Sequence, residues 1–160
     1  MNIHDYMSPE MVALDISADD KRDLLIKLVT LVAERGLLNN IDEVVNSLIE
    51  RERLMTTGIK RGFAIPHAFT SQLGHSIVSF ARIPDGIQYQ SLDGEPVYVV
   101  FLLLGPPDAQ GIHLKLLARL ARLLSLGQLF KQLMAAQEQD EIIQIISQEE
   151  SKFQPVKKFS

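Results

Sequence analysis

The sequence predicts a single-domain α/β sandwich in which a mixed β-sheet has helices on both faces. The 160 residues are 46% hydrophobic, which is enough to build one sizeable core. The run at residues 97–104, Val-Tyr-Val-Val-Phe-Leu-Leu-Leu, is apolar on both faces and is therefore typical of a central, covered strand. Segments with helical spacing of apolar residues lie before and after it. Since no linker or internal repeat interrupts residues 1–150, we expect one domain there and a frayed tail over residues 151–160.

The amino-terminal part predicts a short helical start, a strand and a first amphipathic helix. Residues 2–7 favour the helical start, and the apolar run at residues 11–16 favours a first strand or extended segment. Ser17 and Asp20 have the spacing of a helix N-cap and its acidic third residue, and Gly36 is a stop signal. The buried side of this helix is expected at Leu24, Leu25, Leu28, Leu31 and Val32.

A second helix and two antiparallel strands are predicted next, before the central strand. Asn40 and Glu43 repeat the capping pattern, and the helix ends in the charged run at residues 50–53. The alternating residues 76–82 and the segment 86–89 favour neighbouring antiparallel strands. The buried stripe of the second helix is expected at Val44, Val45, Leu48 and Ile49.

Helices follow the central strand. His113 is expected to open a long helix, and two shorter helices are expected around residues 129–136 and 141–146. The long helix has apolar residues at helical spacing at Leu116, Leu117, Leu120, Leu123 and Leu124.

Composition and charge exclude several classes of function. The chain has no cysteine, so disulfides, thiolate metal sites and cysteine nucleophiles are excluded. A net charge of −4 and a pI near 5.5 argue against nonspecific binding to nucleic acid. The longest apolar run, residues 97–104, is far shorter than a membrane span, and the amino end lacks the pattern of a signal peptide. We therefore expect a cytoplasmic protein without direct membrane insertion.

The segment at residues 57–68, Thr-Gly-Ile-Lys-Arg-Gly-Phe-Ala-Ile-Pro-His-Ala, carries the candidate functional residue. Its two glycines allow turns or close approach, and Pro66 restricts the backbone next to His67. An isolated Pro-His pair is most simply a packed or capping histidine. This one follows a small, apolar and tightly constrained run, which favours a chemical role.

The stretch from Glu50 to His67 resembles the signature of the enzyme IIA component of the phosphoenolpyruvate-dependent sugar phosphotransferase system, fructose/mannitol class (type 2). That class includes the nitrogen-regulatory IIA proteins. In the family, an Arg-Glu pair ends a helix, a Thr-Gly-Ile turn follows, and Ala-Ile-Pro-His presents the phosphorylated histidine. The order of elements and a second histidine after the central strand extend the resemblance over about residues 1 to 148.

The resemblance implies that His67 accepts a phosphoryl group and hands it on. The donor would be the phosphohistidine carrier protein HPr or its nitrogen-branch counterpart, and the acceptor a cysteine of a IIB domain. The IIB and IIC permease parts are expected on separate polypeptides. No cofactor, metal or nucleic acid is implied, because a neutral imidazole nitrogen is a nucleophile and phosphoryl transfer depends mainly on positioning and charge stabilisation.

Three further residues are candidates for the site. His113 lies near a helix start, where an anion is favoured, and the resemblance implies that it orients and stabilises the phosphoryl group. Arg51 aligns with the family's arginine and is a candidate for charge stabilisation, although a charged helix end is usually solvated. Thr57 is a candidate hydrogen-bond partner of the imidazole or phosphoryl group, or an ordinary turn residue. His4 and His75 match no family position.

A zinc site built from His67, His75 and His113 is disfavoured, because no short ligand motif supports it and no cysteine is available. Two residues depart from the family pattern inside the signature. Lys60 stands where the family has a small residue, and Phe63 where it has an aliphatic one. Lys60 either adds favourable charge near a phosphate or hinders the donor.

Three functional hypotheses follow from the sequence. The first is a phosphotransferase component that carries a phosphoryl group for sugar uptake. The second is a regulatory protein whose phosphorylation state controls its binding to a partner protein. The third is a family member that no longer accepts phosphate because of Lys60 and Phe63. The sugar, the carrier and the oligomeric state are left open.

Overall fold

The computed structural model describes residues 1–153, which form a mixed β-sheet with helices on both faces, as the sequence predicts. The strands are β1 (Val12–Ala13), β2 (Phe63–Ala64), β3 (His67–Phe69), β4 (Ile77–Ile87) and β5 (Val97–Gly105). The α-helices are α1 (Lys21–Ala33), α2 (Ile41–Leu54), α3 (Gln110–Leu124), α4 (Leu129–Ala135) and α5 (Gln139–Glu150).

The apolar run of β5 is the centre of the sheet, which confirms its prediction as a covered strand. On one side β5 pairs antiparallel with β4, and β1 extends the sheet beyond β4 in the parallel sense. On the other side β5 pairs in parallel with β2 and then with β3, in a register that places His67 opposite Leu103. The central strand therefore sets the position of the candidate histidine.

The prediction of two antiparallel strands at residues 76–82 and 86–89 was wrong. The structure has one strand there, β4. Both ends of β4 pair with β5, and the register shifts between Arg82 and Ile87. Pro84 cannot donate to the ladder, and Gly86 has a φ of +73°. These two residues bend the strand in a bulge without reversing its direction.

The helices α1 and α2 cover one face of the sheet. The N-cap of α2 is Asn40, whose side chain accepts from the Glu43 N–H as predicted. The N-cap of α1 is Asp20, not Ser17, because the Asp20 carboxylate directly precedes the helix and accepts from the Asp23 N–H at 2.8 Å. The core on this face includes Leu24, Leu25, Leu28, Val29, Val32, Val44, Val45 and Leu48.

The other face is covered by α3, α4 and α5. The long helix begins at Gln110, so His113 lies at the end of its first turn and is not its first residue. Helix α5 is twice as long as the segment predicted at residues 141–146. Beyond α5, Phe153 is buried against this face, while residues 154–160 of the predicted tail lie outside the described residues.

The amino-terminal segment has the helical start predicted for residues 2–7, as a short 3-10 helix at Ile3–Tyr6. In the segment predicted at residues 11–16 the strand itself is Val12–Ala13, which pairs with β4, and the Ile16 N–H still donates to the Arg82 carbonyl of β4 at 3.0 Å. In the part of the chain that the structure describes, no helix has the length and apolarity needed to cross a membrane.

Candidate functional site

Residues 57–65 form a tight hairpin that ends two residues before His67. The Ile59 N–H donates to the Phe63 carbonyl at 2.9 Å, and the Ile65 N–H donates to the Thr57 carbonyl at 3.0 Å. The tip contains Gly62 at a φ of +86°, where a side chain would also collide with the ring of Phe130. The constrained run seen in the sequence is therefore a hairpin closed at both ends by backbone hydrogen bonds.

The His67 ring is half-buried and hydrogen-bonded at both nitrogens. Nδ1 lies 2.7 Å from the Ile65 carbonyl oxygen, and Nε2 lies 3.2 Å from Nε of Arg51. A carbonyl only accepts, so Nδ1 carries the hydrogen and Nε2 keeps its lone pair. Burial lowers the pKa of His67 below its ordinary value, and the positive charge of Arg51 lowers it further against the opposing Ile65 hydrogen bond. The ring is thus neutral near pH 7 and nucleophilic at Nε2.

Arg51 reaches this ring from the last turn of α2. Its Nη1 donates to the Met55 carbonyl at 2.9 Å, just beyond the helix end. This bond orients the guanidinium while Nε faces His67. Arg51 is therefore a partner of the imidazole as well as a residue of a charged helix end.

His113 comes from α3 on the opposite side of His67. The two ring centroids are 5.7 Å apart, and the His113 ring lies 4.2 Å from that of Phe69. The residue is 4% exposed, and neither of its ring nitrogens has a hydrogen-bond partner among the described residues. Burial and the neighbouring His67 lower the pKa of His113 to about 4, so it is neutral at physiological pH. A buried polar ring without partners costs stability, which is typical of a functional position.

An open cleft of about 860 Å³ gives access to both histidines. Its rim is apolar, with Leu54 at 83% exposed and Phe69 at 38% exposed. The cleft also includes Glu43, Asn46, Ser47, Glu50, Arg51, His67, Ala68, His113 and Leu117. A second macromolecule can therefore approach Nε2 of His67 across a surface on which exposed apolar side chains lie beside Arg51 and two carboxylates, Glu43 and Glu50.

Thr57, the fourth residue predicted for the site, is buried below it. Its hydroxyl donates to the Glu52 carboxylate and lies 3.0 Å from the Tyr89 hydroxyl. It is thus engaged away from the imidazole, because the Glu52 carboxylate in the last turn of α2 is the stronger acceptor. Sequence reasoning missed the roles of Glu52 and Tyr89, although Glu52 belongs to the Arg-Glu pair quoted above.

The two residues that depart from the family signature lie outside the cleft. Lys60 is exposed at the tip of the hairpin and lines a separate groove that includes Leu92. Phe63 is buried, and its ring packs edge-on against Phe130 at 5.6 Å. Neither side chain is among those that line the approach to His67.

The remaining histidines lie elsewhere. Nδ1 of His4 is 3.0 Å from the Glu150 carboxylate, and His75 is exposed beside a smaller pocket. Within residues 1–153, no group of three or more histidine, aspartate or glutamate side chains is placed to hold a metal ion.

Comparison with known proteins identifies the family to which the chain belongs. The family model for the phosphoenolpyruvate-dependent sugar phosphotransferase system, EIIA 2, matches residues 5–149. The PTS system fructose-specific EIIABC component of Bacillus subtilis (strain 168) is 35% identical over 148 residues, which cover 92% of this chain and 23% of that relative. The nitrogen regulatory protein of Bradyrhizobium diazoefficiens is 37% identical over 147 residues, which cover 92% of this chain and 95% of that relative.

The crystal structure of the nitrogen regulatory protein IIA-Ntr from Neisseria meningitidis superposes with a TM-score of 0.84. It is 29% identical to this chain and covers 90% of it, while the chain covers 98% of that structure. The fold and the site thus define a IIA domain with a histidine at the start of β3. The chain belongs to the EIIA type 2 family of the phosphoenolpyruvate-dependent sugar phosphotransferase system.

Proposed function

We propose that this protein carries a phosphoryl group on Nε2 of His67. The donor is the phosphohistidine of HPr or of its nitrogen-branch counterpart, and the acceptor is a cysteine of a IIB domain. One observation carries the proposal: the hydrogen bond between Nδ1 and the Ile65 carbonyl leaves the lone pair on Nε2, which faces the open cleft. A donor that draws on phosphoenolpyruvate also requires a cytoplasmic location, which is part of the proposal.

The transfer balances without any proton leaving His67. The Nε2 lone pair forms a bond to phosphorus as the donor's N–P bond breaks, and that electron pair returns to the donor ring. The hydrogen on Nδ1 stays in its bond to the Ile65 carbonyl. In the onward step the ring can therefore leave as a neutral imidazole when a thiolate attacks the phosphorus.

Arg51 and His113 stabilise charge in this proposal. The Arg51 guanidinium is 3.2 Å from Nε2, so a small rotation moves its hydrogen-bond donors from the ring to the phosphoryl oxygens. His113 has a ring N–H without a partner among the described residues and can donate it to the same oxygens. The transferred phosphoryl group would thus be stabilised by one cation, Arg51, and by one neutral hydrogen-bond donor, His113.

Labelling tests the proposal. Incubation with radiolabelled phosphoenolpyruvate and the general phosphotransferase proteins should label the wild type. His67→Ala should abolish labelling, whereas His75→Ala, which changes an exposed histidine outside the cleft, should leave it unchanged. Full labelling of His67→Ala would contradict the proposal.

A second function, regulation of a partner protein, is supported by the nitrogen regulatory protein that matches this chain over nearly its whole length. Phosphorylation adds about two negative charges to a cleft with an apolar rim, which would weaken binding of an apolar or acidic partner. The fructose-specific relative, whose name joins A, B and C components, supports transport instead.

Two assays distinguish these functions. Transfer of label from the phosphorylated protein to a purified IIB domain measures the transport role. A pull-down with phosphorylated and unphosphorylated protein measures state-dependent binding. Transfer without any state-dependent partner favours transport, and the reverse result favours regulation.

A further inference from the structure

We propose that Glu52 is a positioning residue for His67 and acts through Thr57 and the backbone of Ile65. This inference rests on the proposed function, because it concerns the nitrogen that receives the phosphoryl group. It assigns a role to a buried carboxylate that does not itself line the cleft.

Four residues are linked by consecutive hydrogen bonds. The Glu52 carboxylate accepts from the Thr57 N–H at 3.0 Å and also from the Thr57 hydroxyl. The Thr57 carbonyl accepts from the Ile65 N–H at 3.0 Å. The Ile65 carbonyl in turn lies 2.7 Å from Nδ1 of His67. The orientation of the Thr57 backbone therefore determines where the Ile65 carbonyl points, and that carbonyl holds the hydrogen on Nδ1.

The carboxylate is itself held from two directions. Its side chain is 6% exposed, and Nζ of Lys21 lies 3.1 Å from it. Nζ of Lys21 also lies 4.4 Å from the centroid of the Tyr89 ring. Because the Thr57 hydroxyl donates to Glu52, the Tyr89 hydroxyl donates to Thr57. Burial raises the pKa of Tyr89, which keeps this donor protonated.

Loss of the carboxylate changes the chemistry of the imidazole as well as local packing. When a bond between Thr57 and Glu52 is lost, the base of the hairpin can rotate away, and of the two contacts that select the hydrogen on Nδ1 only the Arg51 bond to Nε2 is left. A ring with its hydrogen on Nε2 has no lone pair there and cannot attack phosphorus. A residue that only stabilised the fold would lower the melting temperature and leave the tautomer unchanged.

The test measures the tautomer of His67 directly, in unphosphorylated protein, by long-range ¹H–¹⁵N correlation spectra. Wild type should show one form, with the hydrogen on Nδ1. Glu52→Gln and Thr57→Val should each show a mixture of tautomers, and the rate of labelling should fall by about tenfold to a hundredfold. Thr57→Ser, which restores a hydroxyl, should recover the wild-type spectrum and rate.

The matched control is Glu150→Gln. Glu150 is a second buried carboxylate that accepts backbone hydrogen bonds, from Ile3 and His4, and it pairs with a cation, Arg119. This control should lower stability and leave both the His67 tautomer and the labelling rate unchanged. A wild-type tautomer in both Glu52→Gln and Thr57→Val would overturn the proposal, and so would a mixture in Glu150→Gln.

Failure of the proposed function gives a different result. If wild-type protein is not labelled, the phosphoryl-carrier assignment fails, but the tautomer spectra still decide whether Glu52 positions the ring. If Glu52→Gln does not fold, the comparison of Thr57→Val with Thr57→Ser decides, because only the serine variant keeps the hydroxyl that donates to Glu52.

Discussion

His67 and His113 lie 5.7 Å apart in one cleft, yet their surroundings differ in every polar contact. Both nitrogens of His67 have partners, the Ile65 carbonyl and Arg51. Neither nitrogen of His113 has one among the described residues, and its ring contacts Phe69. A nucleophile needs a defined tautomer, whereas a group that stabilises incoming charge needs a free donor. The difference in surroundings matches the two different roles proposed for the two histidines.

Removal of the positive charge of Arg51, which contacts His67, should have the largest effect on phosphorylation. Arg51→Met should lower the labelling rate by about a hundredfold, because among the described residues Arg51 is the one lysine or arginine that lines the cleft. It should also raise the pKa of His67 towards its ordinary value, because the neighbouring positive charge is removed. Rapid-quench labelling and an NMR titration measure the two effects.

The control for Arg51→Met is Arg53→Met, which removes an exposed arginine from the same helical turn. Arg53 pairs with Glu50 at the surface, so its loss should change neither the rate nor the pKa of His67. Equal effects in the two variants would mean that Arg51 acts only through the overall charge of the helix end.

Substitution of the unpartnered histidine should have a smaller effect. His113→Gln keeps a polar side chain but changes the donor geometry, and should slow onward transfer to a IIB domain by about tenfold while labelling itself stays measurable. Single-turnover transfer from pre-labelled protein measures this step. A variant that equals wild type in both steps would remove the proposed role of His113.

The smallest predicted effect is a dependence of the free energy of unfolding on pH. The pKa of His113 is about 4 in the folded protein, below its ordinary value of 6.5. The unfolded chain therefore binds more protons between these values, so stability is complete above pH 6.5 and falls as the pH decreases towards 4. Because the ring borders an open cleft, we expect a loss of about 1–2 kcal/mol over this range.

Denaturant unfolding at several pH values measures this loss. His67 contributes in the same direction, because its pKa is also lowered. In His113→Gln the slope of stability against pH should therefore become shallower without vanishing. An unchanged slope would show that His113 is solvated and that burial does not lower its pKa.

The sequence predicted those parts of the fold that depend on local patterns. Residues 97–104 form a covered strand because their apolar side chains fit only between two layers of helices. Asn40 caps α2 because its side chain satisfies a free N–H at the helix start. The single strand β4 was mispredicted, because a bulge and a turn use the same residue types, and pairing with β5 decides between them.

The candidate site, like the fold, was predictable from the sequence only in part. His67 was recognisable from its segment, and Arg51, His67 and His113 do lie together around the cleft. The environment of Thr57 was not recognisable. Its partner Tyr89 is distant in sequence and reaches the base of the hairpin only because the bulged β4 directs the following chain there.

The parallel pairing of β3 with β5 also affects when the site forms during folding. His67 lies opposite Leu103, and α3, which carries His113, follows β5 in the chain. Contacts between segments so far apart in sequence form slowly, since a long loop must close first. In a chain still emerging from the ribosome, His67 is synthesised before β5 and α3, which complete the cleft. Competence for phosphoryl transfer would then mark a finished molecule, and a fragment that ends before β5 would be inert.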